Sequence, residues 1–193
     1  MTKYLKAIDD RRLFKKVKKG DVKSLEILFE RYYNPLANFA FLFLKDEETS
    51  KGIISELFIS IWEKRESIVI RDSLKSYLYK SVRNAVISLK RKEKWTAVSF
   101  EEIEINKIET ITPETLLLNK EFDEKVENLL LDLPKKAGLV FRMKKIDGLR
   151  YKEIATILDI SEKTVENHIG NAVKRLKSIL EEHPELWDYF QNK

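Results

Sequence analysis

Few side chains in this chain have the spacing that catalysis or metal binding requires. The 193 residues contain no cysteine and two histidines, His168 and His183, which lie 15 positions apart. Thiolate nucleophiles and thiolate metal ligands are therefore absent, and no histidine pair has ligand spacing. The densest carboxylates are Glu101, Glu102 and Glu104, which fall in a segment predicted below to be a linker, where a solvated acidic stretch is favoured over the metal site of a nuclease. We therefore expect neither an enzyme nor a bound metal or cofactor.

Positive charge is concentrated in the first half of the chain. Residues 1–95 carry 22 basic and 13 acidic side chains, residues 96–118 carry 1 and 5, and residues 119–193 carry 14 and 14. Such asymmetry is typical of proteins that bind a polyanion, although many small cytoplasmic proteins are equally basic without one. No apolar run approaches the length of about 18 residues that indicates a membrane span, and charges occupy the N-terminal stretch where a signal peptide is apolar. The sequence predicts a cytoplasmic protein.

The most informative segment is LRYKEIATILDISEKTVENHIGNAVKRLK, residues 149–177. It predicts a helix-turn-helix, with a turn through Asp159 and Ile160 and a second helix capped by Ser161. Apolar residues in the second helix recur at spacings of 4, 3 and 4 and predict one buried stripe, formed by Val165, Ile169, Ala172 and Leu176. The alternative is an ordinary helical hairpin whose outer face is exposed to solvent. Such a hairpin does not need a capping residue, a defined turn and a small residue, here Ala155, where the helices cross, whereas this segment has all three.

The opposite side of that second helix suits entry into the DNA major groove, where lysine and asparagine bind guanine and adenine edges. We call it the outward stripe, and it comprises Lys163, Asn167, Gly170, Asn171 and Lys174.

Helices are also predicted for the elements upstream. Five glycines, four prolines and no alternation of apolar and polar residues predict almost no sheet. Gly20 and Asp21 separate two helices, and Pro35 is expected to kink or restart the second of them. Asp46 is expected to cap a third helix with a wide apolar face, formed by Ile53, Ile54, Leu57, Phe58, Ile61 and Trp62. Asp72 or Ser73 is expected to start a fourth, whose inward positions are Leu74, Tyr77, Leu78, Ser81, Val82, Ala85 and Leu89.

The pattern predicts an all-α fold of two small helical domains joined by a flexible linker. The N-terminal domain spans residues 1–95, and the acidic linker spans 96–118. A helix near 114–131 leads from the end of the linker into the C-terminal domain, which spans 119–183. This domain also contains a helix from Pro134 to Asp147, a C-cap at Gly148 and the helix-turn-helix. A tail, 184–193, follows Pro184.

Both halves together resemble one known family. The C-terminal stretch from Leu133 to Lys177, and the N-terminal motifs DVKSLEILFERYYNPLANFA, ELFISIWEKR and SYLYKSVRNAVISLKRK, are similar to sigma-70 type RNA polymerase sigma factors of the extracytoplasmic-function group, in the form abundant in Bacteroidetes. The resemblance implies a factor that performs no chemistry, binds the clamp and flap regions of core RNA polymerase, and recognises two elements of promoter DNA. It also implies an anti-sigma protein as regulator.

The resemblance assigns roles to three sets of residues. The minus-35 element would be contacted by Lys163, Thr164, Asn167, His168, Asn171, Lys174 and Arg175. The minus-10 element would be contacted by Tyr79, Arg83, Asn84, Lys90 and Arg91, beside a loop from Arg65 to Asp72 that is suited to unstacked bases. Core polymerase would be contacted by Glu56, Leu57, Phe58 and Trp62.

Several positions depart from the pattern of the sigma family. In addition, another class of transcription regulator shares the helix-turn-helix part of that pattern. Lys51-Gly52 and Ser55-Glu56 replace an acidic pair and a Gln-Glu pair in the polymerase-binding helix, Ser88 replaces a frequent aspartate, and Gly138 replaces a larger polar residue. The alternative function is a helix-turn-helix regulator of the quorum-sensing or response-regulator output type. Such regulators usually carry an α/β domain, whereas residues 1–95 have a helical pattern.

Overall fold

The computed structural model describes residues 9–94 and 133–182. Within these ranges the chain forms seven α-helices and no β-strand, as the sequence predicts. The described residues divide into two compact units, one formed by residues 9–94 with the short segment 156–159 and the other by 133–155 and 160–182. We call residues 9–94 the N-terminal unit and residues 133–182 the C-terminal unit. No helix in the described ranges is both long and apolar enough to cross a membrane. The same residues contain no cluster of three or more acidic or histidine side chains that could hold a metal.

The N-terminal unit is built around one long helix. Its four helices are α1 (Asp10–Val17), α2 (Val22–Leu44), α3 (Glu47–Glu63) and α4 (Leu74–Lys94). Helix α2 packs against α1, α3 and α4, and α4 also contacts α1 and α3. The central position of α2 explains its wide buried side, which is formed by Ser24, Leu28, Tyr32, Leu36, Ala37, Phe39, Ala40, Leu42 and Phe43.

The helix boundaries follow the predicted capping residues. Gly20 has a φ of 86°, a left-handed conformation that glycine adopts without steric cost, and it ends the turn after α1. The Asp46 carboxylate accepts a hydrogen bond from the Thr49 backbone N–H at 2.7 Å, which caps α3. Ser73 Oγ accepts one from the Ser76 N–H at 3.1 Å, so that Ser73 rather than Asp72 caps α4.

Pro35 does not divide α2. The helix runs from Val22 to Leu44 with Pro35 inside it, so the predicted restart is wrong. An internal proline removes one backbone hydrogen bond and costs about 3 kcal/mol in an isolated helix. Here Tyr32, Leu36 and Ala37 around it are buried, and this packing holds the helix together.

A charged anchor joins the first two helices. The Asp10 carboxylate of α1 accepts hydrogen bonds from the Arg31 guanidinium and from the Tyr32 hydroxyl of α2. Burial and the neighbouring carboxylate raise the pKa of Tyr32 far above its ordinary value, so the phenol stays a proton donor. Leu13, Phe14 and Val17 complete the attachment as buried apolar residues.

The inward face of α4 differs from the predicted one. Leu74, Leu78 and Val82 are buried as expected, but Tyr77, Ser81, Ala85 and Leu89 are only half-buried. The buried positions include instead Ser76, Tyr79, Arg83, Val86 and Ile87. Because α4 contacts three other helices, its buried side is wider than one apolar stripe and is turned toward Tyr79.

The C-terminal unit contains α5 (Lys135–Lys145), α6 (Tyr151–Leu158) and α7 (Glu162–Glu182). Helix α5 packs against α7. Gly148 has a φ of 68°, and the Leu149 N–H donates to the Met143 carbonyl at 2.9 Å, which confirms the predicted C-cap. The predicted linker at 96–118, the helix near 114–131 and the tail at 184–193 lie outside the described residues.

Candidate nucleic-acid interface

The turn of the helix-turn-helix is set by local hydrogen bonds. Asp159 adopts a left-handed φ of 58°, and the Ile160 N–H donates to the Ala155 carbonyl at 3.1 Å. Ser161 Oγ accepts from the Thr164 N–H at 2.9 Å and caps α7, as predicted. The start of α7 is therefore fixed by its own side chains, and so is the direction of the residues that follow.

The two sides of α7 separate as the apolar spacing predicts. Val165, Ile169 and Ala172 are buried and Leu176 is half-buried. Every member of the outward stripe is exposed: Lys163, Asn167, Gly170, Asn171 and Lys174. Their side chains project from one side of the helix and can reach base edges when it enters a major groove.

The other residues assigned to the minus-35 element lie at the edges of this stripe. Arg175 is exposed, whereas Thr164 and His168 are half-buried. The Thr164 hydroxyl lies 2.8 Å from Ser161 Oγ, so it takes part in the cap.

Acidic neighbours modify the charge of α7. Lys163 Nζ donates to the Glu166 carboxylate at 2.8 Å, and the Arg175 guanidinium lies 3.9 Å from Glu182. Both pairs are largely exposed, and exposed pairs of this kind contribute about 0–1 kcal/mol. DNA phosphates can therefore displace the carboxylates at little cost.

A second basic face lies on α4. Asn84 and Arg91 are exposed and Lys90 is half-buried. Lys80 is also exposed, four positions before Asn84, and it shares this face although it is absent from the predicted minus-10 set. The spacing of Lys80, Asn84 and Arg91 by 4 and 7 places them on one side of the helix.

Two members of the predicted minus-10 set are buried instead. Tyr79 is 1% exposed, and its ring centroid lies 5.1 Å from that of Phe39. Tyr79 is therefore a core residue, and its ring is not exposed for the predicted contact with DNA. Arg83 is 8% exposed, and burial lowers the pKa of its guanidinium because the charged form is desolvated.

The loop between α3 and α4, residues 64–73, begins with a stacked arginine. The Arg65 guanidinium lies 4.4 Å from the centroid of the Trp62 ring, and its Nη1 donates to the Trp62 carbonyl at 2.7 Å. Farther along, Val69 is 74% exposed and Arg71 is exposed. The loop thus exposes an apolar side chain, Val69, and a cationic side chain, Arg71, to solvent.

The outer face of α3 carries the residues predicted to contact polymerase, with one correction. Glu56 is exposed, and Leu57 and Trp62 are half-buried. Phe58 is 5% exposed and packs edge-to-face against Phe29 at 5.1 Å, so it supports the helix and does not form a contact surface. Ile59 was missed, and it is 59% exposed on the same helix. Its apolar side chain at a position outside the predicted inward stripe is the sequence feature that would have identified it.

Comparison with known proteins assigns the two units to the regions of one family. The model for Sigma-70 region 2 matches residues 28–96, and the model for Sigma-70, region 4 matches residues 123–176. The chain belongs to the sigma-70 family. It is an RNA polymerase sigma factor of the extracytoplasmic-function group, and it acts in transcription initiation. The match of residues 28–96 to a sigma region disfavours the alternative regulator class, which shares only the helix-turn-helix.

The curated relatives of this sigma factor extend over nearly its whole length. The ECF RNA polymerase sigma-E factor of Escherichia coli strain K12 is 25% identical over 174 residues, which is 86% of this chain and 91% of that protein. The protein of the same name from Haemophilus influenzae is 23% identical over 180 residues, 89% of this chain and 95% of its own.

Solved structures have the same fold. The structure of CnrH in complex with the cytosolic domain of CnrY matches with a TM-score of 0.56 and 19% identity, covering 90% of this sigma factor and 98% of that chain. The sigma factor RpoE of Bartonella quintana, in complex with the anti-sigma factor NepR, matches with a TM-score of 0.55 and 18% identity, covering 82% and 98%.

Proposed function

We propose that this sigma factor divides promoter recognition between its two units. The C-terminal unit reads the minus-35 element with the outward stripe of α7, flanked by Thr164, His168 and Arg175. The N-terminal unit contacts the minus-10 element with the α4 face, which carries Lys80, Asn84, Lys90 and Arg91, and with the α3–α4 loop. The observation that carries this proposal is the exposure of all five outward-stripe residues opposite a buried apolar stripe on one capped helix.

The outer face of α3 is the proposed contact with core RNA polymerase. Glu56, Ile59 and Trp62 offer a charge, an exposed aliphatic side chain and an indole, which is the mixture typical of protein interfaces. Leu57 contributes part of its half-buried side chain to this contact surface, and the buried Phe58 packs the helix against α2.

This proposal includes a division of the chain into two domains, a linker and a tail. The domains are residues 1–95 and 119–183, the linker is 96–118 and the tail is 184–193. The division is supported by the two family matches, which end and begin on either side of the acidic segment. A linker of 23 residues spans up to roughly 75 Å when extended. That length allows both units to contact one promoter.

We further propose that the factor acts in the cytoplasm, performs no catalysis, and is held inactive by an anti-sigma protein. Sigma factors in general are non-enzymatic regulators of transcription. Both solved relatives named above were determined as complexes with a second protein, called an anti-sigma factor in one case.

Promoter-specific initiation is the direct test. Purified protein is mixed with core RNA polymerase that lacks sigma, and transcript 5′ ends are mapped on genomic DNA. We expect a limited set of start sites that share two upstream sequence elements. The same mixture with K163A/N167A/K174A should bind core polymerase but lose most of these start sites. Random initiation by the unaltered protein would overturn the proposal.

A further inference from the structure

Two charged side chains, Arg11 of α1 and Lys18 at the C-cap of that helix, reach across to the loop between α3 and α4. Lys18 Nζ donates to the Ile68 carbonyl at 3.0 Å in a partly buried hydrogen bond, across 50 positions of sequence. Arg11 Nη2 donates to the Asp72 carbonyl at 3.1 Å, across 61 positions. Both acceptors are backbone atoms, so these bonds act on the path of the loop and not on one of its side chains.

Hydrogen bonds within the loop form the rest of the support. The Ser67 and Ile68 N–H groups both donate to the Lys64 carbonyl, at 3.0 and 3.2 Å, and close a turn at the beginning of the loop. Ser73 caps α4 at the other end. Between the carbonyls held by Lys18 and Arg11 lie residues 69–71, which include the exposed Val69 and Arg71.

The anchoring helix is itself firmly attached. Its buried residues Leu13, Phe14 and Val17 pack into the core, and Asp10 is bonded to Arg31 and Tyr32 of α2. A donor on such a helix holds its acceptor in place, whereas a donor on a mobile segment moves with it. Holding a binding loop in its bound shape before contact lowers the entropy lost on binding.

We propose that Arg11 and Lys18 are positioning residues, through which α1 holds the α3–α4 loop in the shape that presents residues 69–71 to promoter DNA. The ligand class is unpaired bases with their phosphates, since an apolar side chain packs against unstacked bases and a guanidinium binds phosphate. This inference rests on the proposed role of the loop at the minus-10 element.

The test compares two double variants of the full chain bound to core polymerase. R11Q/K18M removes both charges and the Lys18 donor, replaces the Arg11 guanidinium by a shorter amide, and keeps most of each side chain. R12Q/K15M is the matched control, because it removes the same charge from exposed positions of the same helix. Strand opening is followed by permanganate reactivity of thymines, on a promoter found in the start-site experiment. We expect R11Q/K18M to slow opening about tenfold, as the loss of charged hydrogen bonds predicts. The control should stay within about twofold of the unaltered protein.

Three further measurements separate positioning from loss of fold or charge. Affinity for core polymerase should be the same in both double variants. Hydrogen exchange of the amides at residues 69–72 should be faster in R11Q/K18M alone. Restoring a donor with Arg at position 18, as R11Q/K18R, should recover part of the opening rate. Equal opening rates in the two double variants would overturn the inference while leaving the sigma function intact. Failure of the unaltered protein to initiate at any promoter would instead contradict the proposed function.

Discussion

The ring of Tyr79 packs against the ring of Phe39, with 5.1 Å between centroids and an interplanar angle of 60°. This contact joins α4 to the central helix α2, and both residues are at most 3% exposed. The basic face of α4 therefore lies on a helix whose opposite side is held by aromatic packing. We therefore expect a change at Tyr79 to affect DNA binding only through the fold.

Replacing Tyr79 by alanine should destabilise the N-terminal unit severely. Loss of a buried aromatic ring leaves a cavity and typically costs about 3–5 kcal/mol. Urea unfolding followed by circular dichroism measures the change, and the exposed Lys80→Ala serves as control with an expected effect within about 0.5 kcal/mol. A Tyr79→Ala protein of normal stability that fails only in promoter opening would restore the DNA-contact assignment.

Alanine at Asn167 or Lys174 should weaken promoter binding without changing stability. A contact with a base edge is worth about 1–3 kcal/mol, so each variant should bind about 5- to 150-fold more weakly. Fluorescence anisotropy of polymerase-bound protein on a labelled minus-35 duplex measures this. Lys135→Ala, an exposed lysine at the start of α5, should bind normally. Normal binding by both outward-stripe variants would mean that another side of α7 faces the DNA.

Alanine substitutions at two exposed helical glycines should have the same effect on stability and different effects on DNA binding. A Cβ added at Gly52 or Gly170 meets no atom within 4 Å. Alanine at either site should therefore stabilise the protein by up to about 1 kcal/mol, as helix propensity predicts. Gly170→Ala should also weaken DNA binding, because Gly170 lies on the outward stripe where the helix approaches the groove, whereas Gly52→Ala should not. Thermal unfolding and anisotropy on the same samples distinguish the two effects, and unimpaired DNA binding by Gly170→Ala would show that no close approach occurs there.

Glu56 and Ile59 should matter for polymerase and not for DNA. Both are exposed on α3, so Glu56→Ala/Ile59→Ala should fold normally. If the pair lies near the centre of the interface, core polymerase should bind more weakly by about 2 kcal/mol or more. Competition against a labelled sigma factor measures this affinity, and Glu26→Ala, exposed on α2, is the control. Unchanged affinity would place the polymerase contact on another surface.

Acid should remove a contribution of Asp21 to stability. The Ser24 hydroxyl donates to the Asp21 carboxylate at 2.8 Å and lowers the pKa of Asp21 below its ordinary value of 3.8. The charged carboxylate is favoured in the folded state, so the contribution is present above pH 3.8 and is lost as the pH falls through the lower, folded-state pKa. Urea unfolding at several pH values should therefore show the unaltered protein losing its advantage over Asp21→Asn in acid. A constant difference between the two proteins at all pH values would contradict this assignment.

The buried and exposed sides of α7 were largely predictable, because the helical repeat determines which side chains share a face. A repeat of about 3.6 residues determines which side chains oppose Val165 and Ile169, and Ser161 and Asp46 act on donors only three residues away. The all-helical fold and the outward stripe follow from such short-range rules. Ile59 is the exception, since its exposure followed from the same repeat and was overlooked.

What neighbouring helices decide was not predictable in this way. The repeat in α4 alone places Tyr77 on the inward side and Tyr79 outside it, whereas packing against α2 buries Tyr79 and leaves Tyr77 half-buried. Pro35 was expected to interrupt a helix that tertiary contacts hold continuous. The bonds from Arg11 to Asp72 and from Lys18 to Ile68 join residues 61 and 50 positions apart. The sequence by itself determined most of the helices, their caps and the exposed side of α7, because these depend on residues within about two helical turns. Only the tertiary structure decided which aromatic is core and what supports the loop, because those depend on which segments meet in space.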